Sequence, residues 1–413
     1  MLEFLQRRLG LTANGVAVVG CAVVGGVLGR VFSSRALLLL VYGTVMILAA
    51  AYAIGRRKLA LVAVRSDLPS RVREGQLVDV ELTLSARRGV ANVLLEEQVD
   101  GHLGRTVVVP VPTLSGGSDV THRYALLPTL RGVYTVGPLS AVWSDPFGLT
   151  QHRLVLQKPT TVIVHPRVAR VRDRVISREW EEPPLRPPIS RRWPTGFEFY
   201  GMRDYVAGDD PRRIVWRATA KTLGDNPLEG RYLVREAEQG ITDQVVILLD
   251  TDAEQHSPGE TSDSFELAVR AAASLGSRHI NDGFSVTVEG NAEPLVKALR
   301  GRRSEIQLLD AMAAVTREKV PNDLAVDRLL AGGRRNAHYV LITPYLSRHT
   351  AARLRLLLDR GTSLMLVMLL DEDSDPLSLH RAGGLGCNVV ELRPGTNMDR
   401  AFQHVAVMRG GRR

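Results

Sequence analysis

The sequence predicts a multidomain chain: a hairpin of two membrane-spanning helices, then a β-sandwich, then an α/β domain on a mostly parallel sheet. Three observations predict it. Two uncharged runs, from Arg8 to Arg30 and from Arg35 to Arg56, are each about 20 residues long, enough for a helix to cross a bilayer. The middle of the chain alternates apolar and polar residues with period two. The C-terminal part alternates continuous apolar runs with amphipathic helical patterns. The 413 residues allow two or three domains, and the 45% apolar content is that of an ordinary globular core.

The hairpin occupies residues 9–55, with expected spans at 9–29 and 36–55. Only Arg30-Val-Phe-Ser-Ser-Arg35 separates them, so the turn is tight. Gly25 and Gly29 are four apart, as are Ala22 and Gly26, and small residues at that spacing let helices approach closely. Arg7 and Arg8 before an apolar stretch also suit a cleaved signal peptide, but a second apolar run follows at once. Arg7, Arg8, Arg56, Arg57 and Lys58 outnumber Arg30 and Arg35 in the loop. The positive-inside rule then puts both ends, and the bulk of the chain, on the cytoplasmic side of a cell membrane. The net charge of +9, nearly all of it arginine, suits the anionic inner leaflet; scattered arginine is also ordinary solvated surface. With two cysteines, Cys21 and Cys387, neither a disulfide framework nor a zinc site is indicated.

Residues 59–167 carry the sandwich pattern. Val78–Leu84 alternates strictly; Val107–Val111, Tyr134–Val136 and Thr160–Val164 do so loosely, with turn clusters such as Ser115-Gly-Gly-Ser118 between them. Short strands with regular turns predict an antiparallel sandwich of immunoglobulin-like type. Asp145 and Gly148 read as turn residues. Residues 168–195 hold Pro183, Pro184, Pro187, Pro188 and Pro194, which predicts an extended connector.

Residues 196–240 form a dense polar segment, and Phe199–Arg217 reads FYGMRDYVAGDDPRRIVWR. Gly208 suits a turn, Asp209 and Asp210 can cap helical amides, and Pro211 fits the first helical position. A helix from Pro211 to about Lys221 would align Arg213, Arg217 and Lys221, with Arg212 and Trp216 beside them. In the favoured reading these residues are architectural. Arg203 and Asp204 pair with neighbours, Glu236 and Glu238 are further partners, Tyr205 belongs to the same set, and Trp216 anchors the helix on the following domain. The alternative is a metal-dependent phosphodiester or nucleotide hydrolase. There Arg213 and Arg217 would hold a phosphate, and Asp204, Asp209 and Asp210 a divalent ion. Nucleic acid is not an expected partner, because Trp216 and Tyr205 are the segment's main stacking residues.

Residues 241–405 predict the α/β domain. Strands are expected at Asp243–Asp250, Ser285–Glu289, His338–Thr343, Ser363–Leu370 and Asn388–Leu392. Helices are expected at Ser264–His279, Ser304–Val315 and Ser347–Arg360. No phosphate-binding glycine loop, zinc-protease histidine pair or nucleophile elbow is present in the sequence.

The string Phe199–Arg217, continuing through Arg231-Tyr-Leu-Val-Arg235-Glu-Ala-Glu238 to the strand ending at Asp250, resembles the signature of the bacterial domain of unknown function 58 family. Arg131–Tyr134, Gly137-Pro138 and Asp145–Leu149 resemble markers that precede it. The resemblance implies a von Willebrand factor A-like fold for the α/β domain. It also implies association with a MoxR-type AAA+ ATPase and with other von Willebrand A-like proteins, in assembly, maturation or envelope stress handling. That fold often carries a metal site in which an aspartate at the end of the first strand is followed by serines at alternate positions. Here Asp250 fits, Asp252 and Glu254 replace the serines, and Pro344 stands where a later aspartate belongs. Asp250 and Asp252 are therefore the candidate Mg²⁺ ligands, in a degenerate site; no other cofactor is expected. The resulting expectation is a membrane-anchored, non-enzymatic adaptor.

Overall fold

The computed structural model describes residues 10–55, 59–171, 198–205, 211–223, 232–238, 244–259, 263–332, 337–359, 362–371 and 374–402. The chain divides into two compact units, Met1–Arg167 with Leu309–Val315, and Val168–Leu308 with Thr316–Arg413.

The first unit opens with helices α1 (Ala13–Val31) and α2 (Arg35–Gly55), both long and apolar enough to cross a membrane. Thr12 caps α1, its hydroxyl accepting from the Gly15 amide at 3.1 Å. Glycine sets their spacing: a Cβ on Gly29 would lie 3.2 Å from Leu38, and one on Gly25 3.3 Å from Val41. Leu39, Leu40, Tyr42 and Met46 point outward.

Nine strands follow: β1 (Leu61–Arg65), β2 (Arg71–Arg73), β3 (Val78–Ala86), β4 (Val90–Val99), β5 (Val107–Leu114), β6 (Asp119–Leu126), β7 (Gly132–Ser144), β8 (Gln151–Gln157) and β9 (Thr160–His165). One sheet has the order β1-β3-β6; the other runs β2-β9-β7-β4-β5, with β8 also paired to β7. Period-two patterning is visible in β3, where Val78, Val80, Leu82, Leu84 and Ala86 are buried in alternation. Leu61, Leu82 and Leu84 of the first sheet share a core with Val93, Leu95, Leu139 and Ala141 of the second. Inside this β unit Arg65 is ion-paired with the fully buried Glu97, and Tyr124 donates its hydroxyl to the same carboxylate.

The second unit contains an antiparallel ribbon, β10 (Glu198–Asp204) with β11 (Leu233–Glu238), and the short helix α3 (Trp216–Leu223). Its main sheet comprises β12 (Gln244–Leu249), β13 (Ser285–Glu289), β14 (Pro294–Leu299), β15 (Ala337–Thr343), β16 (Ser363–Leu369) and β17 (Asn388–Leu392). The order is β14-β13-β12-β15-β16-β17, parallel except for β14 on the edge. The helices are α4 (Asp263–Asn281), α5 (Arg302–Ala314, whose residues from Leu309 onward are assigned to the first unit), α6 (Asn322–Gly332), α7 (Arg348–Asp359), α8 (Pro376–Gly384) and α9 (Met398–Ala401). Val246, Leu248, Tyr339, Leu341 and Leu366 form one core with residues of α6, α7 and α8. The alternate positions Val245, Ile247 and Leu249 are buried on the opposite face, and α4 packs against β12 and β13.

Three departures from the sequence expectations have physical reasons. The helix expected from Pro211 is a 3₁₀ turn at Pro211–Arg213, and α3 starts only at Trp216. Ile214 bridges Val234, and the Val215 amide donates to the Leu233 carbonyl at 2.8 Å. That backbone is taken by β11, so the helix cannot run through it. Strand β14 is half-exposed along its length, so it shows neither clean alternation nor a buried apolar run. Helices α6 and α8 are short, and were not separated from loops by periodicity. Most of the proline-rich connector lies outside the described residues, as do Gly208, Asp209 and Asp210.

Candidate functional site

The order of the main sheet determines where a site would form. The chain leaves β12 for β13 on one side and later returns to β15 on the other. In open α/β sheets, ligands bind outside the carboxyl ends of the strands at such a reversal. Asp250 immediately follows β12, and Thr343 is the last residue of β15.

Asp250 is fully buried and surrounded by donors. Its Oδ1 accepts from Asn291 Nδ2 at 2.8 Å and from the Asp252 amide at 3.1 Å. Its Oδ2 accepts from Asn322 Nδ2 at 2.8 Å and from the Thr343 hydroxyl at 2.7 Å. A carboxylate has about four acceptor positions, and these four donors occupy them. The network continues outward: Thr350 bonds Asn322 Oδ1 and Asp323, and Ser347 caps α7 by accepting from the Thr350 amide. One carboxylate thus joins the ends of β12 and β15, the loop after β13, and the start of α6.

Asp252 is buried as well, and accepts from the Glu254 amide at 3.0 Å. Burial pushes its carboxyl above the usual range, with Asp250 and Glu254 adding like charge. Among the described residues, no cluster of three or more histidine, cysteine or acidic side chains is placed to hold a metal.

His256 closes this region from the other side. Its Nε2 lies 2.9 Å from the Asp250 carbonyl, and its Nδ1 3.1 Å from Ser264 Oγ. A carbonyl only accepts, so Nε2 carries the proton and Nδ1 accepts from the serine hydroxyl. Burial lowers the histidine pKa and keeps it neutral. The pair imitates an activated serine, yet Ser264 and His256 are only 3% and 4% exposed. The serine oxygen also takes the Ser257 amide at 2.9 Å, at the start of α4. The Ser264 amide in turn donates to the Ser257 hydroxyl at 3.2 Å, so the pair lies beneath the surface as part of the cap at the start of α4.

The polar segment behaves differently. Arg203 and Asp204 end β10 opposite Val234 and Leu233, and Asp204 is exposed. The Tyr205 amide donates to the Tyr232 carbonyl at 2.7 Å. Thr219, fully buried, accepts from the Leu233 amide at 3.0 Å and pins α3 to the ribbon. Arg212 and Arg217 are exposed, and Arg213 lies in the 3₁₀ turn. Trp216, expected to anchor the helix on the following domain, is instead 64% exposed. Its ring meets Tyr232, itself 48% exposed, edge-on at 6.3 Å between centroids. The reason is the break at residues 214–215, which starts α3 later and turns its first residue outward.

The sequence reading missed Asn291, Asn322 and His256, and did not connect Thr343 with Asp250. Asn322 had a usable signal: Pro321-Asn322-Asp323 is a helix-start pattern. Asn291 follows a glycine after a strand, which marks a turn but no partner.

No curated protein matches this chain. Among solved structures, the CARDB domain of PF1109 from Pyrococcus furiosus is 16% identical, covering 25% of this chain and 94% of that one, with a TM-score of 0.20. A β-glucosidase from Listeria innocua is 16% identical, covering 27% of this chain and 17% of that one, at a TM-score of 0.18. Likenesses at this level carry no argument about fold or function. The family comparison is informative: residues 201–381, from β10 through most of α8, match the family described as "Protein of unknown function DUF58", which supports the resemblance carried by the signature segment.

Proposed function

We propose that this chain is a membrane-anchored, non-enzymatic adaptor that holds a partner protein on the exposed face of its signature segment. The observation that carries the reading is the Trp216–Tyr232 pair. Two large aromatic rings stand in contact with each other and open to solvent, on an element pinned by Thr219. Exposed tryptophan and tyrosine on a rigid support are typical anchors of protein interfaces. Arg212, Arg217 and Lys221 are exposed beside them, so the complementary surface is acidic. The switch-point carboxylate supports the same reading from the negative side. Asp250 is spent on joining four segments, and Ser264 and His256 are buried in a cap.

In this reading α1 and α2 anchor the chain in a bacterial cell membrane. The arginines flanking the hairpin support a cytoplasmic location for the rest, where external protease would not reach it in intact cells. The mostly parallel sheet, with an aspartate at the end of its first strand, supports a von Willebrand factor A-like domain whose metal position has become structural. The two-sheet β unit supports an immunoglobulin-like sandwich. The partner we favour is a MoxR-type AAA+ ATPase, with the chain recruiting it or its client to the membrane. Capture from detergent-solubilised membranes tests this. The intact chain should retain an AAA+ protein that the Trp216→Ala chain loses; equal recovery by both would refute this surface.

A further inference from the structure

We infer that the hairpin end of the β unit is a lipid-contact surface, where Phe147 inserts into the interface of an anionic phospholipid bilayer and Arg87 and Arg88 hold its phosphates. The inference rests on reading α1 and α2 as membrane spans, and adds a second element that touches the membrane.

Length provides the first step. Helix α1 has 19 residues and α2 has 21. At about 1.5 Å per residue they measure roughly 28 and 31 Å, against a hydrocarbon core of about 30 Å. Neither has length to spare, so the first turn of α1 and the last turn of α2 must lie at the hydrocarbon boundary.

The β unit is fastened to those two turns. The Thr12 amide donates to the Leu149 carbonyl at 3.0 Å, and its hydroxyl to the Gly148 carbonyl at 2.7 Å. The Gln151 amide donates to the Gly10 carbonyl at 2.7 Å. At the other helix, Trp143 Nε1 donates to the Gly55 carbonyl at 2.8 Å. Gly15 lies inside the first turn of α1, and a Cβ there would sit 2.2 Å from the Leu149 carbonyl oxygen. The turn after β7 is therefore level with helix residues that must border the hydrocarbon. Phe147, two residues before Leu149, is 58% exposed. Asp145 holds the turn rigid by accepting from the Phe147 amide at 2.8 Å and the Thr150 hydroxyl at 2.9 Å. Trp143 at this level is the side chain that favours a membrane–water interface.

Strand register extends this level across the unit. Trp143 lies opposite Val93, Val90 opposite Leu114, and Ala86 opposite Leu61. The Arg87 amide donates to the Ala60 carbonyl at 3.0 Å, five residues beyond the end of α2. The turn at 87–89 thus opens on the same side as the turn at 145–150, and Arg87 and Arg88 are exposed in it. Apolar insertion flanked by arginine matches an anionic bilayer surface. The opposite end supplies a control. Leu127, 47% exposed, follows Leu126, which pairs with Val78 at the other end of β3.

The experiment uses the full chain in nanodiscs of equal parts phosphatidylcholine and phosphatidylglycerol, with Cys21 and Cys387 replaced by serine. Spin labels are placed singly at F147C, L127C and V24C, and collision with oxygen is compared with collision with a water-soluble nickel chelate. The inference expects an oxygen-to-nickel ratio at 147 several-fold above that at 127, and below that at 24 inside α1. A ratio at 147 equal to that at 127, with 24 lipid-like, would overturn it while leaving the spans in place. A water-like signal at 24 would overturn both. Spin-labelled phosphatidylglycerol should also associate with the chain in preference to phosphatidylcholine. R87Q/R88Q should reduce that preference by half or more, and an unchanged preference would contradict the role of the arginines.

Discussion

The Thr343 hydroxyl donates to Asp250 Oδ2 at 2.7 Å, tying together the ends of the adjacent parallel strands β12 and β15. With Asn291 and Asn322 on the same carboxylate, this bond makes Asp250 the point where the main sheet is locked. Removing the acid takes this acceptor from two buried side-chain amides, a hydroxyl and the Asp252 backbone amide. Asp250→Ala should therefore cost about 3–5 kcal/mol, and Thr343→Val about 1–3 kcal/mol, in urea unfolding. Mg²⁺ should leave the wild-type midpoint unchanged, because the acceptor positions are filled. A saturable rise with Mg²⁺ that Asp250→Ala abolishes would restore the metal reading.

In the β unit, Glu97 is fully buried and is shared by Arg65 and Tyr124. Arg65 is further held by the Thr160 hydroxyl at 2.6 Å. Neutralising one partner strands the other charge away from water. Glu97→Gln should destabilise this unit by roughly 3–5 kcal/mol, whereas replacing Arg65 and Glu97 together with apolar residues should cost less than either single change. Denaturant titration of the four chains provides the cycle.

His279 provides a pH dependence. Burial pushes its pKa down from 6.5 to about 4, against the opposing effect of its hydrogen bond to the Leu275 carbonyl. The native state keeps the ring neutral while the unfolded chain protonates at its ordinary pKa. The associated stability is intact above pH 6.5 and is lost as the pH falls from there toward 4. The whole interval amounts to roughly 3 kcal/mol. His279→Leu should flatten the decline of the unfolding midpoint across that window, and an equally steep decline would assign it to other groups.

The seat of the hairpin can be tested by comparing glycines. A Cβ on Gly15 would collide with a backbone carbonyl at 2.2 Å, whereas at Gly20 nothing lies within 4 Å. Gly15→Ala should lower the thermal midpoint of the detergent-solubilised chain, at a cost of about 1–3 kcal/mol. Gly20→Ala should be neutral or stabilising. Equal midpoints would mean that the β unit is not seated on α1.

What the sequence showed, and what it hid, follows from how each feature is encoded. The buried strands β12, β15 and β16 are continuous apolar runs, and α4 has a clear apolar face, so all four were legible. Val78–Leu84 was legible because its alternation reports a face directly. Strand β14 was not, since an edge strand that is half-exposed lacks either signature. Asp250 could be picked out by its place after a strand, but its partners come from Asn291, Asn322 and Thr343, far apart in the chain. Only the topology brings them together. Trp216 shows the reverse error. Its composition suggested a buried anchor, and the pairing of residues 214–215 with β11, invisible in the sequence, turned it outward.

The central claim is that the exposed rings of Trp216 and Tyr232 contact a partner protein. The most direct measurement replaces Tyr232 with a photo-crosslinking amino acid in the full chain and illuminates intact cells. The account predicts one dominant adduct with an AAA+ ATPase. Trp216→Ala should reduce it at least about 30-fold, the loss of an interface anchor worth roughly 2 kcal/mol, with an unfolding midpoint close to wild type. No adduct with such an ATPase, together with a nuclease or phosphatase activity that disappears in Asp209→Ala, would contradict it and favour the hydrolase.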